Sequence, residues 1–179
     1  AICYIIKKWV GLNKRIEWLL VDICESFIVI ASFVLGWLYQ LNNKYIIGLN
    51  DVLSDRLKYI AQTMSTYNIK LWGQYIEEHG NGGSIIAKDN YFFIDNSFVR
   101  CMYEYGAIVF VLVIVLIFMA QKKMLDNEKY IMCLAFFIVT IASFAEHHLL
   151  EIAYNPFIFS VFACMSNNDK VIIEEKRIC

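Results

Sequence analysis

Long apolar stretches alternate with charged segments along the chain. Four of these stretches predict membrane-spanning helices, because a bilayer core about 30 Å thick needs about 20 mostly apolar residues per helix. The second is the clearest, since residues 106–120 have no polar face, and a helix on the surface of a soluble protein needs one. The predicted spans cover residues 18–41, 103–121, 129–145 and 147–165. A soluble bundle of four buried helices is the alternative.

Basic residues predict the orientation of the spans. Ten of the sixteen Lys and Arg residues fall in three short segments, 1–17, 121–129 and 166–179. These segments share one side if all four helices cross, and the positive-inside rule makes that side cytoplasmic. Residues 42–104 then form a long extracytoplasmic loop of a multi-pass plasma-membrane protein.

The loop contains a helical pattern of its own. Its apolar positions recur at helical spacing and predict an amphipathic helix over about 51–66 that lies on the membrane face, with Asn50 as its cap. Arg56 and Tyr59 share the stripe beside the apolar one. The apolar positions are Leu49, Leu53, Leu57, Ile60 and Met64.

Composition supports this all-α membrane class. The chain of 179 residues is 59% hydrophobic and 18% charged, with a formal net charge of −1. Disordered chains need low hydrophobicity and high charge, and nucleic-acid binders normally carry a basic excess, so both classes are excluded. The six cysteines show no zinc-type spacing, and we expect no metal and no cofactor. The chain begins without Met, and we expect it to be the C-terminal part of a longer protein with a single membrane domain, 1–179.

Two polar clusters flank the predicted spans at the outer face. Asp95, Asn96 and Ser97 precede the second span, with Arg100 and Glu104 in its first turns. Glu146, His147, His148, Glu151 and Tyr154 precede Pro156 in the fourth. If that span is helical from about 146, His147, Glu151 and Tyr154 share one face.

These side chains offer a defined chemistry. The guanidinium groups of Arg56 and Arg100 can bind phosphate, because their N–H donors match its oxygens. His147, or a carboxyl with a raised pKa, can remove a proton from a hydroxyl. Each of these residues also has a role without chemistry as its alternative. Arg56 can face lipid headgroups, His147 and His148 can be polar residues of the interface, and residues 95–97 can cap a helix.

Four motifs, in this order, resemble the C-terminal half of the Wzy-type polysaccharide polymerases, which belong with the O-antigen polymerase and ligase superfamily. The resemblance covers roughly residues 16–165. The motifs are Leu53-Ser-Asp-Arg56, Leu71-Trp-Gly73-Gln, Ile94-Asp-Asn-Ser-Phe98 with Tyr105-Gly106, and Glu146-His-His…Tyr154-Asn-Pro156.

The resemblance implies a glycosyltransferase. Such an enzyme moves an oligosaccharide repeat unit from undecaprenyl diphosphate to another lipid-linked unit at the outer face, building capsule, exopolysaccharide or O-antigen, and other polysaccharide-assembly proteins are expected partners. It implies that Arg56 holds the diphosphate and that Asn96 and Ser97 match the family's Asn-Ser motif. Asp95 stands where many ligase relatives have histidine.

We therefore assign expected roles to ten residues and retain three alternatives. The alternatives are an O-antigen ligase, a non-enzymatic flippase or transporter component, and a membrane anchor or sensor. The expected catalytic residues are Arg56, His147, Glu146 and Asp95, and the expected substrate-binding residues are Arg100, Asn96, Ser97, Glu151, Tyr154 and Tyr59.

Overall fold

A computed structural model describes residues 14–79 and 91–151. Within these ranges the chain is helical and forms no sheet, and its one extended pairing is a bridge between His79 and Phe92. A π-helical turn covers Cys101–Tyr105, and a 3-10 turn covers His148–Leu150. The α-helices are α1 (Lys14–Gln40), α2 (Lys44–Val52), α3 (Arg56–Thr66), α4 (Ser97–Arg100), α5 (Ala107–Asp126) and α6 (Tyr130–Ala142).

Among residues 14–79 and 91–151, two helices are long and apolar enough to cross a bilayer: Trp18–Gln40 within α1, and α5. Their length and composition support the predicted membrane class. The helix α6 is apolar but has 13 residues. The second candidate span begins at Ala107 and not at residue 103, because Gly106 has φ = +98° and separates α5 from the π-helical turn.

Small and polar residues of α1 face the protein. Ser32 and Gly36 are buried, and a Cβ atom on Gly36 would collide with the Ile60 side chain of α3. Deeper in the bundle, the Gln121 amide of α5 donates a hydrogen bond of 2.6 Å to the buried Glu25 of α1 and accepts one of 2.9 Å from Cys133 of α6. These contacts fix the packing of α1, α5 and α6.

The predicted amphipathic helix over 51–66 is wrong in its bounds and in its surroundings. The chain forms two helices, α2 and α3, because Ser54 and Asp55 adopt left-handed backbone angles of +52° and +66° in φ. Leu57 and Ile60 of α3 are buried against the protein, so its apolar stripe does not lie on the membrane face.

Asn50 is not the cap of a helix that starts at 51. It is buried in the last turn of α2, where its amide donates to Asp55 Oδ1 at 2.8 Å and accepts from the Lys58 N–H at 3.0 Å. These two bonds hold the corner between α2 and α3.

The α-helix expected from about 146 does not begin there. Residues 143–145 form a turn after α6, and the 3-10 turn His148–Leu150 leads to an extended Glu151. The rest of the predicted span 147–165 lies outside the described residues.

Two glycines bring the segment before α5 against the loop. Gly73 and Gly106 both have positive φ, +81° and +98°. A Cβ atom on Gly73 would collide with the backbone just before Gly106, and a Cβ atom on Gly106 would collide with the backbone of residues 71–73. The Ala107 N–H donates to the Lys70 carbonyl at 3.0 Å. The loop segment around residues 70–73 therefore satisfies backbone donors at the start of α5.

Candidate functional site

Arg56 stands at the first position of α3, directly after the left-handed Asp55. Its Nη2 donates to Glu146 Oε1 at 3.0 Å, and its Nε lies 3.6 Å from Asp95 Oδ2. The Arg56 side chain is 29% exposed. A cation with fork geometry is thus held between two carboxylates and stays within reach of solvent.

Asn96 and Ser97 tie this site to the bundle. The Asn96 side-chain oxygen accepts from the N–H groups of Phe98 and Val99, both at 3.0 Å, which confirms the predicted helix cap. Its amide nitrogen donates to Ser32 Oγ at 3.0 Å and to the Phe144 carbonyl at 2.8 Å. Because Asn96 is buried and all its hydrogen-bonding groups are used, its role here is to position the segment around it.

Ser97 fixes the segment that carries the histidines. Its hydroxyl donates to the Glu146 carbonyl and accepts from the Leu149 N–H at 3.2 Å. Ser97 is 4% exposed, so its contacts hold the 146–149 backbone beside Asp95.

The guanidinium of Arg100 is bonded to other groups of the protein. Its Nη2 donates to Glu78 Oε1 at 2.6 Å, and its Nε donates to the Ile94 carbonyl at 3.0 Å. Glu104 lies 3.5 Å from Nη1, and the Phe93 ring lies 4.8 Å from the guanidinium carbon. These contacts brace α4 against the loop, and the expectation that Arg100 binds substrate stays a prediction.

The two histidines share Glu151. His147 Nε2 lies 3.3 Å from Glu151 Oε1, and His148 Nδ1 lies 3.2 Å from Glu151 Oε2. The predicted proximity of His147 and Glu151 is therefore found, although the turn that creates it is not an α-helix. Tyr154, the third member of the predicted face, lies outside the described residues.

Burial shifts two groups of the site in opposite directions. Desolvation lowers the pKa of His147 below 6.5, and the nearby His148 and Arg100 lower it further. Desolvation raises the pKa of Asp95 above 3.8, and Glu146 adds to the rise while Arg56 opposes it. A lowered pKa leaves the imidazole of His147 neutral near pH 7, the form that accepts a proton.

A small cavity of about 90 Å³ opens beside His147. Glu151 and Arg100 line it together with Ser97, Tyr105 and Leu150. The polar residues that line this cavity come from both of the sequence clusters that flank the predicted spans.

Tyr59 is a core residue and not part of this site. It is 9% exposed, and its ring centroid lies 5.3 Å from that of Tyr91 and 6.5 Å from that of Phe92. Its spacing of three residues from Arg56 suggested a shared stripe, but Arg56 faces the carboxylates while Tyr59 packs inward.

Three of these residues have donors close enough to share a metal ion. Glu146, His147 and His148 each offer one ligand atom, and these atoms lie within 4.8 Å of one another. Imidazole and carboxylate donors suit transition metals such as zinc. Glu146 already accepts a hydrogen bond from Arg56, and the expectation of no metal stays a prediction.

Sequence reasoning missed Glu78. It accepts from Arg100 and, at 2.9 Å, from the Ile94 N–H, and so connects the loop to the segment that leads into Asp95. Glu78 stands beside Glu77 and His79, a run typical of a solvated loop, and no local signal indicates a partner 22 residues away.

In comparisons with known proteins, no family model, no curated protein and no solved structure matches this chain.

Proposed function

We propose that this chain belongs to a membrane enzyme that polymerises undecaprenyl-diphosphate-linked oligosaccharide repeat units into capsular, exo- or O-antigen polysaccharide. The observation that supports this most is the meeting of Arg56 with Glu146, 90 residues further along the chain, beside Asp95 and His147. The motif resemblance suggests the reaction class, and the contacts among Arg56, Glu146 and Asp95 support it.

Arg56 takes the charge role in the proposed reaction. The reaction breaks the bond between the anomeric carbon and the diphosphate oxygen, and negative charge develops on the leaving diphosphate. A guanidinium that is already oriented stabilises that charge without reorganisation. Glu146 and Asp95 hold the guanidinium in place through its Nη2 and Nε atoms.

The acceptor hydroxyl needs a group that removes its proton. A neutral His147, whose pKa is lowered, suits this role near pH 7. Asp95 and Glu146 are the alternatives, and the raised pKa of Asp95 moves that carboxyl toward the range of a base. Attack by the hydroxyl on the face opposite the diphosphate inverts the anomeric centre.

The proposed topology has four spans and an extracytoplasmic loop over 42–104. The two candidate spans, α1 and α5, support half of that count, and α6 supplies an apolar helix that is shorter than a full crossing. Outward placement of the loop follows from the distribution of Lys and Arg. The proposed location is the bacterial plasma membrane, where a lipid-linked glycan is available at the outer face.

Profiling of lipid-linked glycans in cells that lack the full-length gene tests this function. We expect single repeat units to persist on the lipid carrier while polymer disappears, and re-expression of the gene should restore the polymer. Polymer that accumulates on the carrier without attachment would indicate a ligase. Repeat units that stay at the cytoplasmic face would indicate a flippase, and either result would refute the polymerase.

A further inference from the structure

Three side-chain stripes, each with the spacing i, i+4, i+7, run along α2 and its C-cap, and the exposed Ile47 lies between the first stripe and the third. Positions at this spacing lie on one face of an α-helix with 3.6 residues per turn. Ile46, Asn50 and Leu53 form the stripe that faces the protein. The other two stripes are Tyr45, Leu49 and Val52, which are apolar, and Lys44, Gly48 and Asp51.

Hydrogen bonds fix the rotation of α2 about its axis. Asn50 is 2% exposed, and its side chain bonds Asp55 and the Lys58 N–H in the corner before α3. Ile46 packs against the core cluster that contains Leu57 and Ile60. The polar Asn50 is thus buried by specific bonds, and this leaves the apolar stripe facing outward.

The outward stripe is unusually apolar for an exposed surface. Tyr45 is 76% exposed and Val52 is 79% exposed, and Leu49 lies between them on the same face. The third stripe, with Lys44 and Asp51 at its two ends, is exposed and lies beside the apolar one. A helix with a protein side, an apolar side and a charged edge fits the boundary between lipid and water.

In the sequence, the apolar stripe of α2 follows an exposed apolar face of α1. Phe27, Ile30, Val34 and Trp37 are exposed along α1, and Leu41 follows at its end, three residues before α2 begins. These are large side chains, whereas the small Ser32 and Gly36 face the protein. Small residues mark helix packing in membranes, so the large exposed side chains indicate lipid contact.

We propose that α2 is an interfacial helix of the membrane, with Tyr45, Leu49 and Val52 against the acyl chains and with Lys44 and Asp51 toward water. The Lys44 ammonium lies 5.3 Å from the centre of the Tyr45 ring. Lysine and tyrosine are both typical of the headgroup level. The assignment rests on α1 and α2 and does not depend on the reaction that the protein catalyses.

The interfacial position brings the polar site close to the lipid surface. Arg56 opens α3 four residues after Val52, across the tight corner at Ser54 and Asp55. A phosphate carried at the level of the headgroups would therefore meet Arg56 without leaving the interface.

Photocrosslinking distinguishes the occupants of this face. The photoreactive amino acid p-benzoylphenylalanine replaces Val52 or Tyr45 in the full-length protein, in vesicles of phosphatidylethanolamine and phosphatidylglycerol. The matched controls replace Asp51 and Lys44 on the charged edge of the same helix. We expect phospholipid adducts, seen by mass spectrometry, at positions 45 and 52 and several-fold fewer at 44 and 51.

Three results would overturn the proposal. They are a crosslinked dimer, which would assign the face to a second copy; a crosslink to another segment of the chain; and equal lipid yields at all four positions. The crosslinking result is independent of the glycan-profiling result, because the formation of lipid adducts needs no catalytic activity. Failure of one proposal can therefore be distinguished from failure of the other.

Discussion

Arg56 and Glu146 lie 90 residues apart in the sequence and are joined by a hydrogen bond of 3.0 Å. One belongs to the corner after α2 and the other to the turn after α6. The bond therefore joins the loop to the C-terminal end of the described bundle, and Asp95 on the third segment adds a contact of 3.6 Å. Convergence of three segments on one cation distinguishes this arrangement from a solvated surface arginine.

Arg100 gives a prediction about stability. Arg100→Ala should lower the free energy of unfolding by about 1–3 kcal/mol, because it removes the cation paired with Glu78 and the donor to the Ile94 carbonyl. Thermal unfolding in detergent measures this. Glu78→Ala should cause a similar loss, and the double variant should lose less than the sum, since both changes break the same contact.

A matched control for Arg100 is Lys70→Ala. Lys70 is exposed, and we expect its removal to leave the unfolding temperature nearly unchanged. Additive effects of Arg100→Ala and Glu78→Ala would show that the two side chains act separately and would contradict the bracing role.

Asn96 gives a second prediction. Asn96→Ala removes the cap of α4 and the amide that donates to Ser32 Oγ and to the Phe144 carbonyl. We expect a loss of about 2–4 kcal/mol in the free energy of unfolding. The exposed Asn68→Ala is the control, and an equal loss in both variants would refute the positioning role of Asn96.

Local sequence signals predicted the helices better than the corners between them. The apolar runs predict α1 and α5, because the length and hydrophobicity of a run are read directly from the sequence. The break between α2 and α3 was missed, since it depends on Asp55 and Ser54 in left-handed conformations that are stabilised by the buried Asn50. No periodicity in the sequence encodes that bond.

The same limit applies to the site. Residue chemistry singled out Arg56, Asp95, Glu146 and His147, and the structure brings them together. The chemistry of Arg100 and Tyr59 looked equally suitable, but pairing with Glu78 and packing against Tyr91 occupy them. Which of several arginines is satisfied internally depends on contacts distant in sequence.

The lowered pKa of His147 predicts a pH dependence of stability. The folded protein binds this proton less tightly than the unfolded chain, whose histidine titrates near 6.5. Stability is therefore complete above pH 6.5 and falls as the pH drops through 6.5 toward the lower folded pKa. Unfolding temperatures between pH 7.5 and 5.5 should fall less steeply in His147→Gln than in the wild type.

Asn68→Ala supplies the control for this titration. Asn68 is exposed and has no titratable side chain, so this variant should keep the wild-type slope. A His147→Gln variant with the wild-type slope would show that other groups cause the acid sensitivity.

The most direct test of the account is the polysaccharide length distribution of an Arg56→Ala variant of the full-length protein. Lys58→Ala, an exposed cation two residues further along α3, is the matched control, and both variants are compared at equal abundance in the membrane. We predict that Arg56→Ala leaves single repeat units on the lipid carrier without polymer, while Lys58→Ala gives wild-type lengths. Polymer of wild-type length from Arg56→Ala would contradict the role of Arg56 in diphosphate binding.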